Sequence, residues 1–350
     1  MTTNMFNRAC IVGAGAIGGW IGAGLVRAGC DVSVVARGEA LAAIQAQGLR
    51  LQTTAGPESV QAGMAVRASA HPAELGVQDL VVIAVKAPSL LDVARSIAPL
   101  MGPDTVVLTA MNGVPWWFFQ GFGGVHEGTH LQAVDATGGI AAAIPPNHIV
   151  GCVVHASCAL SAPGVVQHHF GNKLIVGEPS GLKTPRVVGL AELLTRAGFE
   201  APVSDQIQRD TWYKLWGNMT VNPISALTGA TTDLILGDPL VRSFVSSVML
   251  EAKEIGARIG IPIDQRPEDR HAVTLKLGAF KTSMLQDIEA GKAVELDALV
   301  SVVRELGVVV GVATPFTDAL LGLARLQAQV RGLYQATTTG TRGARAHISS

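Results

Sequence analysis

The sequence predicts an α/β fold, a largely parallel sheet with an antiparallel extension, followed by an all-α domain. Three observations predict it. A glycine-rich turn, Gly13-Ala14-Gly15-Ala16-Ile17-Gly18, lies between a short apolar strand and a small-residue helix close to the N-terminus. Strand-like apolar runs recur as far as Val203 and then stop, leaving helical periodicity to about Leu333. Hydrophobic residues make up 48% of the chain against 15% charged and 5% aromatic, so aliphatic side chains carry the apolar mass, which suits strands buried on both faces. With 350 residues the chain can support two cores. The change of texture sets the boundary: a first domain over 1–205, a helical domain over 206–335, and a tail over 336–350 whose Thr, Gly, Arg and Ser content predicts disorder.

The first strand spans Ala9 to Val12, and the helix after the turn runs to about Ala28. This is G-x-G-x-x-G in the context its chemistry requires. Gly13 permits the turn, Gly15 lets a pyrophosphate approach the backbone, and Gly18 lets helix and strand pack closely. Ala16 and Ile17 open the helix, whose free N–H groups and positive dipole end attract phosphate. The first domain is therefore read as a Rossmann-type dinucleotide-binding unit. A second strand, Asp31 to Ala36, ends at Arg37, where an acidic residue would bind the ribose 2′-hydroxyl of NAD. Arginine there suits the 2′-phosphate of NADP instead.

Further strands fit Leu80–Val85 and Thr105–Thr109, with a helix from Pro88 to Pro99 between them. Lys86 and Asn112 follow the two strands, at the carboxyl edge where open sheets bind ligands. Asn112-Gly113 also reads as a plain turn. The aromatic run Pro115 to Phe119 begins a loop to Gly124 that fits a lid, an interface or a packed surface loop. From Leu131 to Val176 the texture is alternating and strand-like, the expected antiparallel extension. A helix over Pro185–Ala197 and a short strand near Ala201–Val203 close the domain.

In the second half, helices fit Ile207–Val221, Pro239–Ile259, Pro267–Phe280, Asp297–Leu306 and Pro315–Leu333. The first is the most informative. Lys214, Asn218 and Asn222 stand four residues apart, on one helical face, among Trp212, Leu215, Trp216 and Met219. A lysine on so apolar a helix faces either a cavity or a hydrogen-bonded core, because burying its charge without a task is costly. Pro223 predicts that the helix kinks or ends there, tipping Asn222 out of register.

The net charge of −1 gives no argument for a nucleic-acid or membrane partner. No apolar run is long enough to span a bilayer, and no signal peptide is evident. Cys10, Cys30, Cys152 and Cys158 form no CxxC pair and read as reduced thiols of a cytoplasmic protein. The nine histidines show no metal spacing, so no metal is expected. The partner is a small molecule, and the protein itself is expected to be a monomer or homodimer.

The motifs together resemble the ketopantoate reductase family over residues 8 to 335. They are I-V-G-A-G-A-I-G-G at 11–19, Arg37, V-K-A at 85–87, N-G at 112–113, K-L-W-G-N-M-T-V-N-P-I-S-A-L at 214–227, S-M-L-Q-D-I at 283–288 and E-L-D at 295–297. The resemblance implies reduction of 2-dehydropantoate to (R)-pantoate with NADPH, on the pantothenate route to coenzyme A. It implies catalytic roles for Lys214 and Glu295, and substrate contacts from Asn218, Asn222 and Ser283. It places Gly13, Gly15, Gly18, Arg37, Lys86 and Asn112 on the cofactor side. Ser283 also reads as a helix cap with Gln286, and Glu295 as a first-turn charge. Two departures are expected near the substrate: Val300-Ser301 replaces the family's Asn-Gly, and Thr232 replaces an asparagine. They leave room for a reductase of another 2-keto or hydroxy acid. A non-catalytic NADP-binding sensor is the remaining alternative, and it predicts loss of the acid–base residues that this chain retains.

Overall fold

In the computed structural model, residues 5–52 and 63–335 are described. The predicted tail at 336–350 lies outside them. The first half comprises β1 (Arg8–Val12), α1 (Ala16–Arg27), β2 (Asp31–Val35), α2 (Gly38–Gln47), β3 (Arg50–Gln52), β4 (Arg67–Ser69), β5 (Leu80–Ile83), α3 (Leu90–Ser96), β6 (Val106–Thr109), α4 (Gly139–Ala143), β7 (Ile149–Ala162), β8 (Val165–Gly177) and α5 (Pro185–Arg196). The strands form one eight-stranded sheet in the order β3-β8-β7-β6-β5-β1-β2-β4. Neighbours are parallel except β7 and β8, which form a long antiparallel hairpin.

This order explains where the site forms. The chain lays β2 on one side of β1 and returns to lay β5 on the other, so a crevice opens at the carboxyl ends of β1 and β5. The glycine turn leaves β1 into that crevice. The aliphatic strands pack between two apolar layers: α1 and α5 cover one face, while α3, α4 and the two tryptophans at 116–117 cover the other.

The stretch 131–148 is not strand, as its texture suggested. It consists of turns and α4, and strand begins only at Ile149. Gly138, in the left-handed region at φ 69°, and the Pro145-Pro146 pair break any extended run. The Asp135 carboxylate accepts from the N–H groups of Ile140 and Ala141 and so starts α4. The expected helix at 88–99 is α3 flanked by two 3-10 turns, Ala87–Ser89 and Ala98–Leu100. The aromatic run is a packed segment: Trp116, Trp117, Phe118 and Phe119 are all buried. Phe118 reaches within 6.3 Å of Trp212, which joins the two halves' cores.

The second half is helical: α6 (Ile207–Thr228), α7 (Thr232–Gly237), α8 (Pro239–Arg258), α9 (Pro267–Leu275), α10 (Ser283–Glu289), α11 (Val302–Val310) and α12 (Pro315–Val330), with a π-turn at Asp297–Ser301 entering α11. Helix α6 does not end at Pro223. It continues to Thr228 and stops at Gly229, which takes the left-handed conformation. A proline inside a helix costs about 3 kcal/mol. Here Met219, Val221, Pro223, Ile224 and Ala226 are all buried, and that packing offsets the lost backbone bond. Asn222 therefore stays in helical register rather than tipping out. Helix α9 stops at Leu275, short of the expected Phe280, because Gly278 adopts a positive φ just beyond it.

Carboxylates join elements distant in sequence. Glu305 of α11 accepts from the backbone N–H groups of Gln132 and Ala133, which docks the helical half against the first. Glu251 of α8 accepts from Phe316 N, Thr317 N and the Thr317 hydroxyl, closing the N-terminus of α12. No helix among the described residues is long and apolar enough to cross a membrane. The Glu251→Ala variant leaves those donors unpaired, and we expect it to lose about 1–3 kcal/mol in urea denaturation with an unchanged m-value.

Candidate active site

The site is built where α6 crosses the carboxyl edge of the sheet. Lys214 stands in the second turn of α6, and its Nζ donates to Asn112 Oδ1 at 2.8 Å and to the carbonyl of Val154 at 2.6 Å. Asn112 follows β6 and Val154 lies in β7, so one ammonium ties the helix to two adjacent strands. Burial pulls the Lys214 pKa down to about 8, with Glu295 opposing the shift and Arg270 adding to it.

Lys214, Asn218 and Asn112 share the wall of an open cavity. The rest of that wall is mostly apolar, including Met111, Val114, Trp116, Trp117, Val153 and Leu215. Trp117 Nε1 donates to Thr109 Oγ1, which fixes one indole as part of the wall. An ammonium, two amides and an apolar chamber suit a small polar ligand with a hydrocarbon body. Asn222, one turn beyond Asn218, is buried and lies outside the cavity lining.

Glu295 is buried, and its Oε1 accepts from Ala87 N at 3.0 Å. Burial raises its pKa, with the Ala87 N–H and the charge of Lys86 opposing. Its bond is to the backbone after β5 rather than to Lys214, so Asn112 and Val154 do the orienting of the lysine. Lys86 is ion-paired with Asp287 of α10. Burial raises the Asp287 pKa and the hydrogen bond from Lys86 opposes it. Lys86 and Glu295 thus meet on the α10 side, where Ala87 and Ala298 carry the cavity wall toward them. Ser283 is exposed at the first position of α10. It is not the cap of that helix: the Thr282 hydroxyl accepts from Leu285 N, and the Gln286 amide donates to Lys281 O.

The glycine turn fits a dinucleotide. Gly13 has φ 105°, and a Cβ there would come within 2.7 Å of Ala84 O. A Cβ on Gly18 would come within 2.1 Å of Gly13 O, so helix and turn close only around glycine. At Gly15, by contrast, a Cβ would meet nothing within 4 Å, which leaves the backbone open to a ligand. Gly15 caps α1 without a side-chain hydrogen bond, so the amides of Ala16 and Ile17 present an unclaimed helix N-terminus. Arg37 is exposed at the end of β2, as a group for a ribose phosphate must be. No cluster of His, Cys, Asp or Glu able to hold a metal occurs among the described residues. The four cysteines are free.

Sequence reasoning missed three groups that the structure places near Lys214 or Lys86. Asp287 was legible in principle, four residues after Ser283 on the same helix face. The Val154 carbonyl and Arg270 carried no sequence signal, since backbone acceptors and unpaired surface-type cations are everywhere in a chain.

Comparison with known proteins agrees with this architecture. The family described as Ketopantoate reductase PanE/ApbA matches residues 9–181, and its C-terminal counterpart matches 206–328. A 2-dehydropantoate 2-reductase of Mesorhizobium japonicum is 49% identical over 325 residues, covering 93% of this chain and 98% of its own. A solved protein of Ralstonia solanacearum MolK2, provisionally called a ketopantoate reductase, superposes with TM-score 0.90 at 56% identity, covering 94% of this chain and all of its own. The 2-dehydropantoate 2-reductase of Geobacter metallireducens GS-15 gives TM-score 0.80 at 28% identity over 91% of this chain and 99% of its own.

A Gly18→Ala variant must displace the Gly13 carbonyl. We expect at least a 10-fold loss of NADPH affinity, read by fluorescence titration of the folded protein, since about 1.4 kcal/mol of misplaced phosphate contact is enough.

Proposed function

The chain belongs to the ketopantoate reductase family, and on that premise we propose that this cleft reduces 2-dehydropantoate to (R)-pantoate with Lys214 as the proton donor. The observation that carries the reading is the hydrogen-bond inventory of Lys214. An ammonium has three N–H groups. Two are committed to Asn112 Oδ1 and Val154 O. The third is left for a ligand in the cavity that Lys214 lines.

Bound at the glycine turn, NADPH supplies the hydride that adds to the 2-keto carbon. Negative charge then develops on the keto oxygen, and the third N–H of Lys214 stabilises it and transfers its proton there. The lysine left behind is a neutral amine with two N–H groups, the number needed to keep both of its fixed hydrogen bonds. The proton therefore leaves without disturbing the lysine's placement. Burial has brought its pKa to about 8, close to the pH at which it works. Asn218 holds the substrate one turn away without adding charge, and the apolar wall takes its branched hydrocarbon. Asn222 and Ser283 are assigned the outer polar groups of the substrate. Glu295, a buried carboxylate, favours the charged lysine across the cleft. Arg37 is assigned the 2′-phosphate, and Lys86 is assigned to the cofactor side with Asp287 as its partner.

The test is NADPH oxidation by purified protein with 2-dehydropantoate beside other 2-keto acids. The reading requires kcat/KM of about 10⁴ M⁻¹s⁻¹ or more for 2-dehydropantoate, well above the others. A better substrate among the others would reassign the chain to another keto acid. Lys214→Ala should lose about 10²- to 10⁴-fold in kcat while NADPH affinity stays within about twofold. Reduction needs Lys214 protonated, so kcat/KM should be level below pH 8 and fall tenfold per unit above it, whereas oxidation of pantoate should rise over the same range. A reduction profile still level at pH 9.5 would remove Lys214 from the acid's role.

A further inference from the structure

We propose that Arg270 anchors the carboxylate of the 2-keto acid, adding a charge to whatever the Ser283 hydroxyl of the S-M-L-Q-D-I motif offers it. The inference rests on the keto-acid reading above. Arg270 belongs to α9 and is half-buried. Its guanidinium lies 5.2 Å from the centre of the Tyr213 ring, and its Nε is buried without a hydrogen-bond partner. Among the described residues no carboxylate forms an ion pair with it. The half-buried Arg186, by contrast, has Glu178 as a bidentate partner. A guanidinium drawn into protein without an anion is poorly compensated, which is the state of a receptor before its ligand arrives.

Arg270 stands outside the lining of the cavity, on the Gly217 side of the lysine that forms part of its wall. The guanidinium lies against Gly217 of α6, where a Cβ would stand 2.8 Å from Arg270 Nε and 3.0 Å from Nη2. Glycine at 217 therefore makes the room that the arginine fills. On a helix, residue 217 lies about 60° around the axis from residue 214, and residue 213 lies on the same side. The Tyr213–Gly217 stripe and its arginine thus flank Lys214, while Asn218 flanks it on the other side. In a 2-keto acid the carboxylate is bonded directly to the keto carbon. The group that binds it must stand beside the group that protonates the ketone. The Lys214 ammonium already feels the charge of Arg270. The planar fork of a guanidinium matches a carboxylate with two parallel hydrogen bonds.

The other anion available is a cofactor phosphate, and the experiment separates the two. In the full-length enzyme, Arg270→Met should raise KM for 2-dehydropantoate about 10- to 100-fold, the value of a charge-assisted pair, with kcat within about fivefold. NADPH affinity should stay within about twofold, and kcat/KM for the carboxamide analogue of the substrate within about threefold. Arg270→Lys should recover part of the loss. Equal losses on acid and carboxamide would reduce Arg270 to a clamp on Tyr213, and a loss confined to NADPH affinity would assign it to phosphate. Either overturns the proposal, as does an unchanged KM. If Arg270→Met does not fold, Gly217→Ala displaces the guanidinium with its charge intact and takes the same comparison. Calorimetric binding of oxamate to the NADPH-loaded enzyme reads the anchor without turnover, with about a 10-fold weakening expected in Arg270→Met. Oxamate binding that depends on Arg270 in a protein that reduces no 2-keto acid would keep the anchor and sink the reading beneath it.

Discussion

A lysine ammonium shared between a helix and two strands is the contact on which this site depends. Lys214 reaches from α6 to Asn112 after β6 and to the Val154 carbonyl in β7. In water such bonds would exchange freely. Here the apolar helix around Lys214 is already buried, so the ammonium must find oxygens or pay for desolvation in full. The same burial that fixes its geometry lowers its pKa. Position and acidity come from one cause, and neither can be tuned without the other.

The helical half contributes more than a lid. From α10 to the π-turn it brings Asp287 to Lys86, Glu295 to Ala87 N, and Ala298 O to Val114 N. Gly113 packs so closely on Ala298 that a Cβ would stand 2.3 Å from its carbonyl. Each contact lands just past the carboxyl end of β5 or β6. The loops that hold ligands in an open sheet are therefore shaped by the second half of the chain. That explains why buried carboxylates recur there. They are placed opposite N–H groups and one lysine, and their raised affinity for protons is limited by those partners.

Much of this was legible in the sequence because it was local. The glycine turn reads as such since only glycine fits at 13 and 18, and the i, i+4 spacing puts Lys214 and Asn218 on one cavity wall. The misreadings share a different cause. Pro223 was read by its intrinsic preference, which the packing around Met219 and Ile224 overrides. The aromatic run was left open between a lid, an interface and a packed surface loop, because only tertiary contacts decide that it is buried. The partners of Lys86 and Glu295 lie 201 and 208 residues away from them, and no local pattern encodes a pairing at that range. Backbone acceptors such as Val154 O are invisible to a residue-type search altogether.

The departures from the family pattern take on a different meaning in three dimensions. Val300 is fully buried in the helical core, and the Ser301 hydroxyl donates to Asp297, which also receives the Tyr334 hydroxyl. Thr232 is buried, with its hydroxyl donating to Gly278 O. None of the three lines the cavity beside Lys214. Their packing and hydrogen bonds are internal to the helical half. The groups that do line the cavity include the apolar wall from Met111 to Trp117 and the amide of Asn218. A wall of that kind separates substrates by hydrocarbon shape, which yields about 1–3 kcal/mol per methylene. Rejection of ligands that lack a carboxylate requires a charge instead, and a charge in so apolar a cleft has to be set apart from the Lys214 ammonium.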